Sequence, residues 1–130
     1  MSAMSTPAAV FFEIPVLEMG RAMSFYRQVF GCEFELMVVD GNDMAFFPMS
    51  NDGAGISGAL AKGEAYIPSK QGVIIYFATD SIDSTLQEVL MHGGHLHYPK
   101  TRNEFGFVAE FIDTEGNRIA LFEKGQSEQA

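Results

Sequence analysis

Tryptophan is absent from these 130 residues, cysteine occurs once, and lysine and arginine together number only 8. Each scarcity excludes something. A single cysteine, Cys32, leaves no intrachain disulfide, and a chain that needs none suits a reducing compartment. A catalytic thiol would need a nearby histidine and a lowered pKa. Beside Gly31, Cys32 reads instead as a small buried apolar residue. The few cations face 17 Asp and Glu, for a formal net charge of −9. With no basic cluster, a nucleic-acid partner is not expected. No apolar run approaches the roughly 20 residues that span a bilayer, so no membrane partner is expected either. The opening MSAMSTPAAV lacks the basic and long apolar regions of a secretory signal. Residues 1–9 read as a loose tail, as do residues 125–130, and a cytoplasmic protein is the expectation. GAGISGAL lacks the lysine and the strand-to-helix setting of a phosphate loop, and no serine sits in a nucleophile elbow.

What the chain does have is enough apolar content for a core, 47% hydrophobic against 19% charged, in a length that fits one domain. Its elements are written twice. VFFEIPV (10–16) is β-prone, and Met19, Ala22, Met23, Tyr26, Val29 and Phe30 then fall at helical spacing until Gly31 stops the helix. CEFELMVV alternates like a half-buried strand, DGN (40–42) offers a hairpin turn, MAFFP returns, and GAGISGALA supplies a fourth strand. A linker over 62–71, with GEAYIPSKQ in it, is polar and carries Gly and Pro. The order then repeats. GVIIYFAT is a strand, Asp80 or Ser81 caps a helix carrying Ile82, Leu86, Val89 and Leu90, and Gly93-Gly94 ends it. HLHYPK, GFVAEFI and NRIALFEK supply three more strands, the last two joined by the turn DTEG. The reading is an α+β domain over 10–124, with β-α-β-β-β modules over about 10–61 and 72–124. Adding 63 to first-half numbers superposes them, so that Gly31 falls on Gly94, Phe11 on Ile74 and Met23 on Leu86. Whether the modules pair within a chain or across a dimer stays open.

EMGRAMSFYRQVFG, ATDSIDSTLQEVLMHGG and FIDTEGNRIALFE together resemble the vicinal oxygen chelate superfamily. That family takes in glyoxalase I, bleomycin-resistance proteins, fosfomycin-resistance proteins and extradiol dioxygenases. The resemblance implies two tandem modules whose curled mixed sheets surround a concave pocket, commonly in a homodimer. In its metal-dependent members the first and last strands of each module supply His, Glu or Gln ligands. Carried over, those positions fall on Phe11, Ile74 and Ala120, with the remaining one near Ser57 or Gly58. None offers a good donor, so no cofactor is expected, a divalent metal being the alternative.

Side chains alternate across a strand. Arg118, Ala120 and Phe122 therefore share the pocket face, whereas Glu123 shares the other with Ile119 and Leu121, pointing near the strand end into solvent. The same alternation puts Glu13 in the pocket with Phe11. A carboxylate in an apolar strand is costly unless it is paired or used. Glu13 is the best catalytic candidate, as a general base, with a structural pair to Arg118 as the plainer role. Phe11, Ile74, Tyr76, Ala120 and Phe122 would line an apolar, aromatic cavity. His95 and His97 share a strand face, with His92 near, and are weak metal candidates, while Asp113 and Glu115 read as turn formers. The expected function is binding of a small apolar or aromatic organic molecule without the family's metal site. The alternative is an enzyme of the same superfamily (lyase, isomerase or dioxygenase), either metal-free with Glu13 as base or metal-dependent.

Overall fold

A computed structural model describes residues 8–49 and 56–125. β1 (Phe11–Pro15), α1 (Met19–Phe30), β2 (Glu35–Val39), β3 (Asn42–Phe46) and β4 (Ser57–Lys62) form the first module. β5 (Tyr76–Ala78), α2 (Ile82–Met91), β6 (His95–Asn103), β7 (Gly106–Ile112) and β8 (Arg118–Lys124) form the second. Residues 53–55, which open the expected fourth strand, lie outside the described residues, as do 1–7 and 126–130 of the two expected tails.

Each module builds its own four-stranded mixed sheet, ordered β1-β4-β3-β2 and β5-β8-β7-β6. The first strand of each runs parallel to the last, and the other neighbours are antiparallel. Local chemistry sets the punctuation. Asp40 and Gly41 both take positive φ, 53° and 80°, as a two-residue hairpin between right-twisted strands requires. Gly31 ends α1 in the left-handed conformation, its N–H bonded to the Arg27 carbonyl, and the Ser81 hydroxyl caps α2 by accepting from the Ser84 N–H.

The two modules share one core within the chain. Ala22, Phe25, Tyr26 and Val29 of α1 lie in a single buried cluster with Ile14, Leu60, Ile82, Val89, Phe111 and Leu121. Phe77 of β5 stacks on Phe30 at 4.6 Å and meets Phe12 of β1 edge-on at 5.9 Å. Removing so many rings from water is the main force that holds the modules together.

A polar clamp closes the same seam. The turn after β7 is buried at Asp113, Glu115 and Asn117. Glu115 accepts hydrogen bonds from the Leu17 and Glu18 N–H groups and from the Arg21 guanidinium, at 2.7–3.0 Å. Tyr26 donates to Asp113 at 2.6 Å, and Asn117 donates to the Pro15 carbonyl at 2.7 Å. Asp113 and Glu115 thus do more than form a turn. Glu18 gives α1 no side-chain cap, and Glu115, from the other module, satisfies the start of that helix instead.

Two differences from expectation concern register. Glu13 pairs with Ala59 and Tyr76 with Ala120, so Glu13 and Tyr76 are equivalent at 63 residues apart, while Ala59 and Ala120 are only 61 apart. The first-half counterpart of Ala120 is therefore Ala59, two residues beyond Ser57. A two-residue shift preserves the face, so the alternation argument survives it. In addition, β5 begins at Tyr76 rather than Gly72. Gly72 turns with φ of 93°, and the Arg118 N–H of β8 bonds to Ser69 of the linker rather than to a longer β5.

Candidate functional site

Both helices cover one side of the sheets and leave the other open. On β1, Ile14 and Phe12 belong to the helix side, so Phe11 and Glu13 face the open side with their in-register neighbours Ser57 and Ala59. Phe46 and Met44 continue that face on β3, where Phe11 and Phe46 lie 6.0 Å apart. In the second sheet Tyr76, Arg118, Ala120 and Phe122 occupy it, opposite Glu110 and Val108 of β7. Phe11 and Tyr76 are 42% and 54% exposed, while Ala59 and Ala120 are fully buried beneath their neighbours. Half-exposed aromatic rings beside a floor of alanines present apolar surface on this face.

Two polar groupings punctuate this surface. Tyr66, from the linker, packs against Met44, Ala59 and Ala61 and donates its hydroxyl to Glu13 at 2.9 Å. That hydrogen bond, with some burial, raises the Tyr66 pKa. Arg118 grips Glu110 with Nε at 2.7 Å and Nη2 at 3.2 Å, which raises the guanidinium pKa. Glu13 is exposed and does not pair with Arg118. Glu110, nearer along the same sheet, takes that cation. His97 comes within 4.0 Å of Glu110, and His95 pairs with Ile112 at the outer strand. Ile74 lies two residues ahead of β5, half-buried, without a ladder partner. Between Glu13 and Arg118 the linker walls off a recess of about 170 Å³.

Glu123 faces away from this surface, as alternation requires, but not into solvent. It accepts from the Ile82 N–H at 2.7 Å at the start of α2, with Lys100 3.9 Å away. Cys32 is half-buried, and burial raises its thiol pKa, the opposite of what a nucleophile needs.

The residues at the metal-ligand positions do not fit a metal ion. Phe11, Ala59, Ile74 and Ala120 carry no donor atom, and the nearby Ser57 hydroxyl is turned to the Phe47 and Pro48 carbonyls. Among the described residues no group of three or more His, Cys, Asp or Glu could hold one.

Residues 9–121 match the family model described as the glyoxalase/bleomycin resistance protein/dioxygenase superfamily. The chain belongs to that superfamily. Its fold is similar to fosfomycin resistance protein FosX from Listeria monocytogenes (16% identity, 97% of each chain, TM-score 0.67). It is also similar to glyoxalase I of Leishmania major (18% identity, 91% of this chain and 87% of that one, TM-score 0.69). A third relative in fold is TnmS3, an antibiotic binding protein from Streptomyces sp. CB03234 (19% identity, 95% and 100%, TM-score 0.64). Against glyoxalase I of Zea mays the match covers 88% of this chain but only 45% of the maize chain, so this chain spans less than half of that relative. No curated protein sequence matches the chain.

Glu110 and Tyr66 escaped the sequence reading. Glu110 interrupts the apolar GFVAEFI as Glu13 interrupts VFFEIPV, so the same signal was present. Tyr66 is the one aromatic residue in the linker, and nothing in its neighbours marks it as facing a sheet.

Proposed function

We propose that this superfamily member binds a small apolar or aromatic organic molecule on the open face of its sheets, without the metal that other members hold there. The observation that supports this reading is the half-exposed pair Phe11 and Tyr76 over buried Ala59 and Ala120. Phe11 occupies a metal-ligand position, and Tyr76 is the second-module equivalent of Glu13. Exposed rings over such a floor leave apolar surface for a ligand to cover. The antibiotic-binding relative TnmS3 is consistent with it. The protein acts as a cytoplasmic homodimer in this reading, and the exposed apolar Leu36, Met37 and Val38 on the edge strand β2 support the dimer.

The test pairs elemental mass spectrometry of protein purified without chelators with fluorescence titration of anilinonaphthalene sulfonate. Metal far below one per chain, with dye binding that Phe11→Ala and Tyr76→Ala each weaken, supports the reading. Near-stoichiometric zinc, nickel, iron or manganese sinks it.

A second reading, a metal-free lyase or isomerase, draws on the exposed Glu13 carboxylate with the Tyr66 hydroxyl 2.9 Å away. Glu13 would take a proton from substrate, and the Tyr66 hydroxyl would hold the carboxylate in position to do so. Turnover lost in Glu13→Gln with binding retained favours this reading, and unchanged turnover removes Glu13 as the base.

A further inference from the structure

The recess between Glu13 and Arg118 has a mixed lining. Ile67 and Val73, 73% and 88% exposed, line it together with Glu13, Arg118, Ser69 and Gln71. The wall is fixed rather than loose. The Ser69 N–H donates to Asn117 Oδ1 at 3.1 Å, and the Ser69 hydroxyl accepts from the Gln71 N–H at 2.9 Å. At about 170 Å³ the recess has room for a small polar head group.

Hydrogen-bonding capacity narrows the head group. Glu13 uses one carboxylate oxygen for Tyr66, and its other oxygen can only accept at neutral pH. Arg118 uses Nε and Nη2 for Glu110. Among the described residues Glu110 is the only hydrogen-bond partner of the guanidinium, so Nη1 remains to donate. A fitting ligand must therefore donate on one side and accept on the other. Charge decides which kind. A carboxylate head would meet Glu13, the Glu110 that already neutralises Arg118, and a chain of net charge −9. An ammonium head would satisfy Glu13 and leave Nη1 unmatched.

We infer that the recess between Glu13 and Arg118 recognises an uncharged carboxamide or lactam, its N–H on Glu13 and its carbonyl on Arg118. The inference rests on the open-face binding reading above and names the polar end of that ligand, with Ile67 and Val73 at the recess to cover its adjoining apolar atoms.

The test compares three ligands that share one ring: benzamide, benzoate and benzylammonium, titrated into the ¹⁵N-labelled full chain and followed by amide shifts. Benzamide is expected to bind at least about fivefold more tightly than either charged partner, the worth of one added hydrogen bond. The shifts should centre on Ser69, Gln71 and Arg118. Glu13→Leu, at an exposed site, should erase the preference. Arg118→Lys should do the same while keeping a cation on Glu110, so a folded control exists even where a shorter replacement would unfold the sheet. Equal affinity for all three, or benzoate tightest, overturns the inference while leaving open-face binding intact. If neither these ligands nor anilinonaphthalene sulfonate moves the open-face amides, both readings fall.

Discussion

Tyr26 and Tyr66 each give a hydroxyl to a carboxylate, at 2.6 Å to Asp113 and 2.9 Å to Glu13, in opposite surroundings. Tyr26 is fully buried and Asp113 nearly so, within a turn whose other polar groups are paired across the module seam. Among the described residues no buried side-chain N or O atom lacks a partner. Tyr66 and Glu13 sit on the open face, where water can replace either partner. The same chemical pair is therefore structural in one place and available in the other. Burial separates them, since a buried group left unpaired loses its full solvation and an exposed one loses almost nothing.

The largest effect should come from the clamp. Glu115→Ala strands the Leu17 and Glu18 amides and the Arg21 cation, and is expected to cost on the order of 3 kcal/mol in urea unfolding. The same residue sets an acid sensitivity. Burial opposes its ionisation, but hydrogen bonds from Arg21, Glu18 and Leu17 outweigh that and hold its pKa at about 2, below the ordinary 4.5. A depressed carboxylate stabilises the fold fully above its unfolded pKa, and that stability is lost as pH falls from about 4.5 through about 2. Asp113 works the other way. Burial raises its pKa against the hydrogen bonds of Tyr26 and Asn117, so its contribution is fully present below its unfolded pKa and lost as pH rises through the raised one. Glu115→Gln should flatten the stability slope between pH 4.5 and 2, measured by urea midpoints at a series of pH values. An unchanged slope would show that Glu115 is not the group titrating.

Tyr26→Phe should cost about 1–2 kcal/mol, because Asp113 loses one donor but keeps Asn117 and two backbone amides. Glu123→Ala removes a carboxylate from the start of α2 and should cost about 1 kcal/mol, read from the thermal midpoint. Tyr66→Phe is the decisive contrast. It deletes the same hydroxyl as Tyr26→Phe, yet should change stability by less than about 0.5 kcal/mol while altering ligand affinity. Equal losses in the two tyrosine variants would abolish the distinction between the clamp and the open face.

Much of the fold was legible because it depends on short-range pattern. Helical spacing from Met19 to Phe30, the αL stop at Gly31, the Asp40-Gly41 hairpin and the Ser81 cap are each written within a few residues. Alternation turned Glu123 away from Ala120, and with the positions that the resemblance implied it put Phe11, Tyr76 and Phe122 on the pocket face. The errors have a common cause. Glu123 in solvent, Glu13 with Arg118, a strand from Gly72 and Ser57 or Gly58 as the counterpart of Ala120 all required knowing which distant segment fills a given space. Ser69 of the linker, Glu110 on the neighbouring strand β7, and the start of α2 are those segments.

By itself the sequence determined the element order, the duplicated module, the faces of each strand and the lack of donor atoms at Phe11, Ile74 and Ala120. These follow from local periodicity and from side-chain chemistry, which need no partner. Only the tertiary structure decided that the modules share one core, that Glu115 caps α1 from the other module, and that Tyr66 and Glu110 border the open face. Those outcomes depend on which of several competing carboxylates and cations the folded backbone brings within hydrogen-bonding distance, and residues about 90 positions apart in the chain, such as Arg21 and Glu115, leave no pattern that a local reading can find.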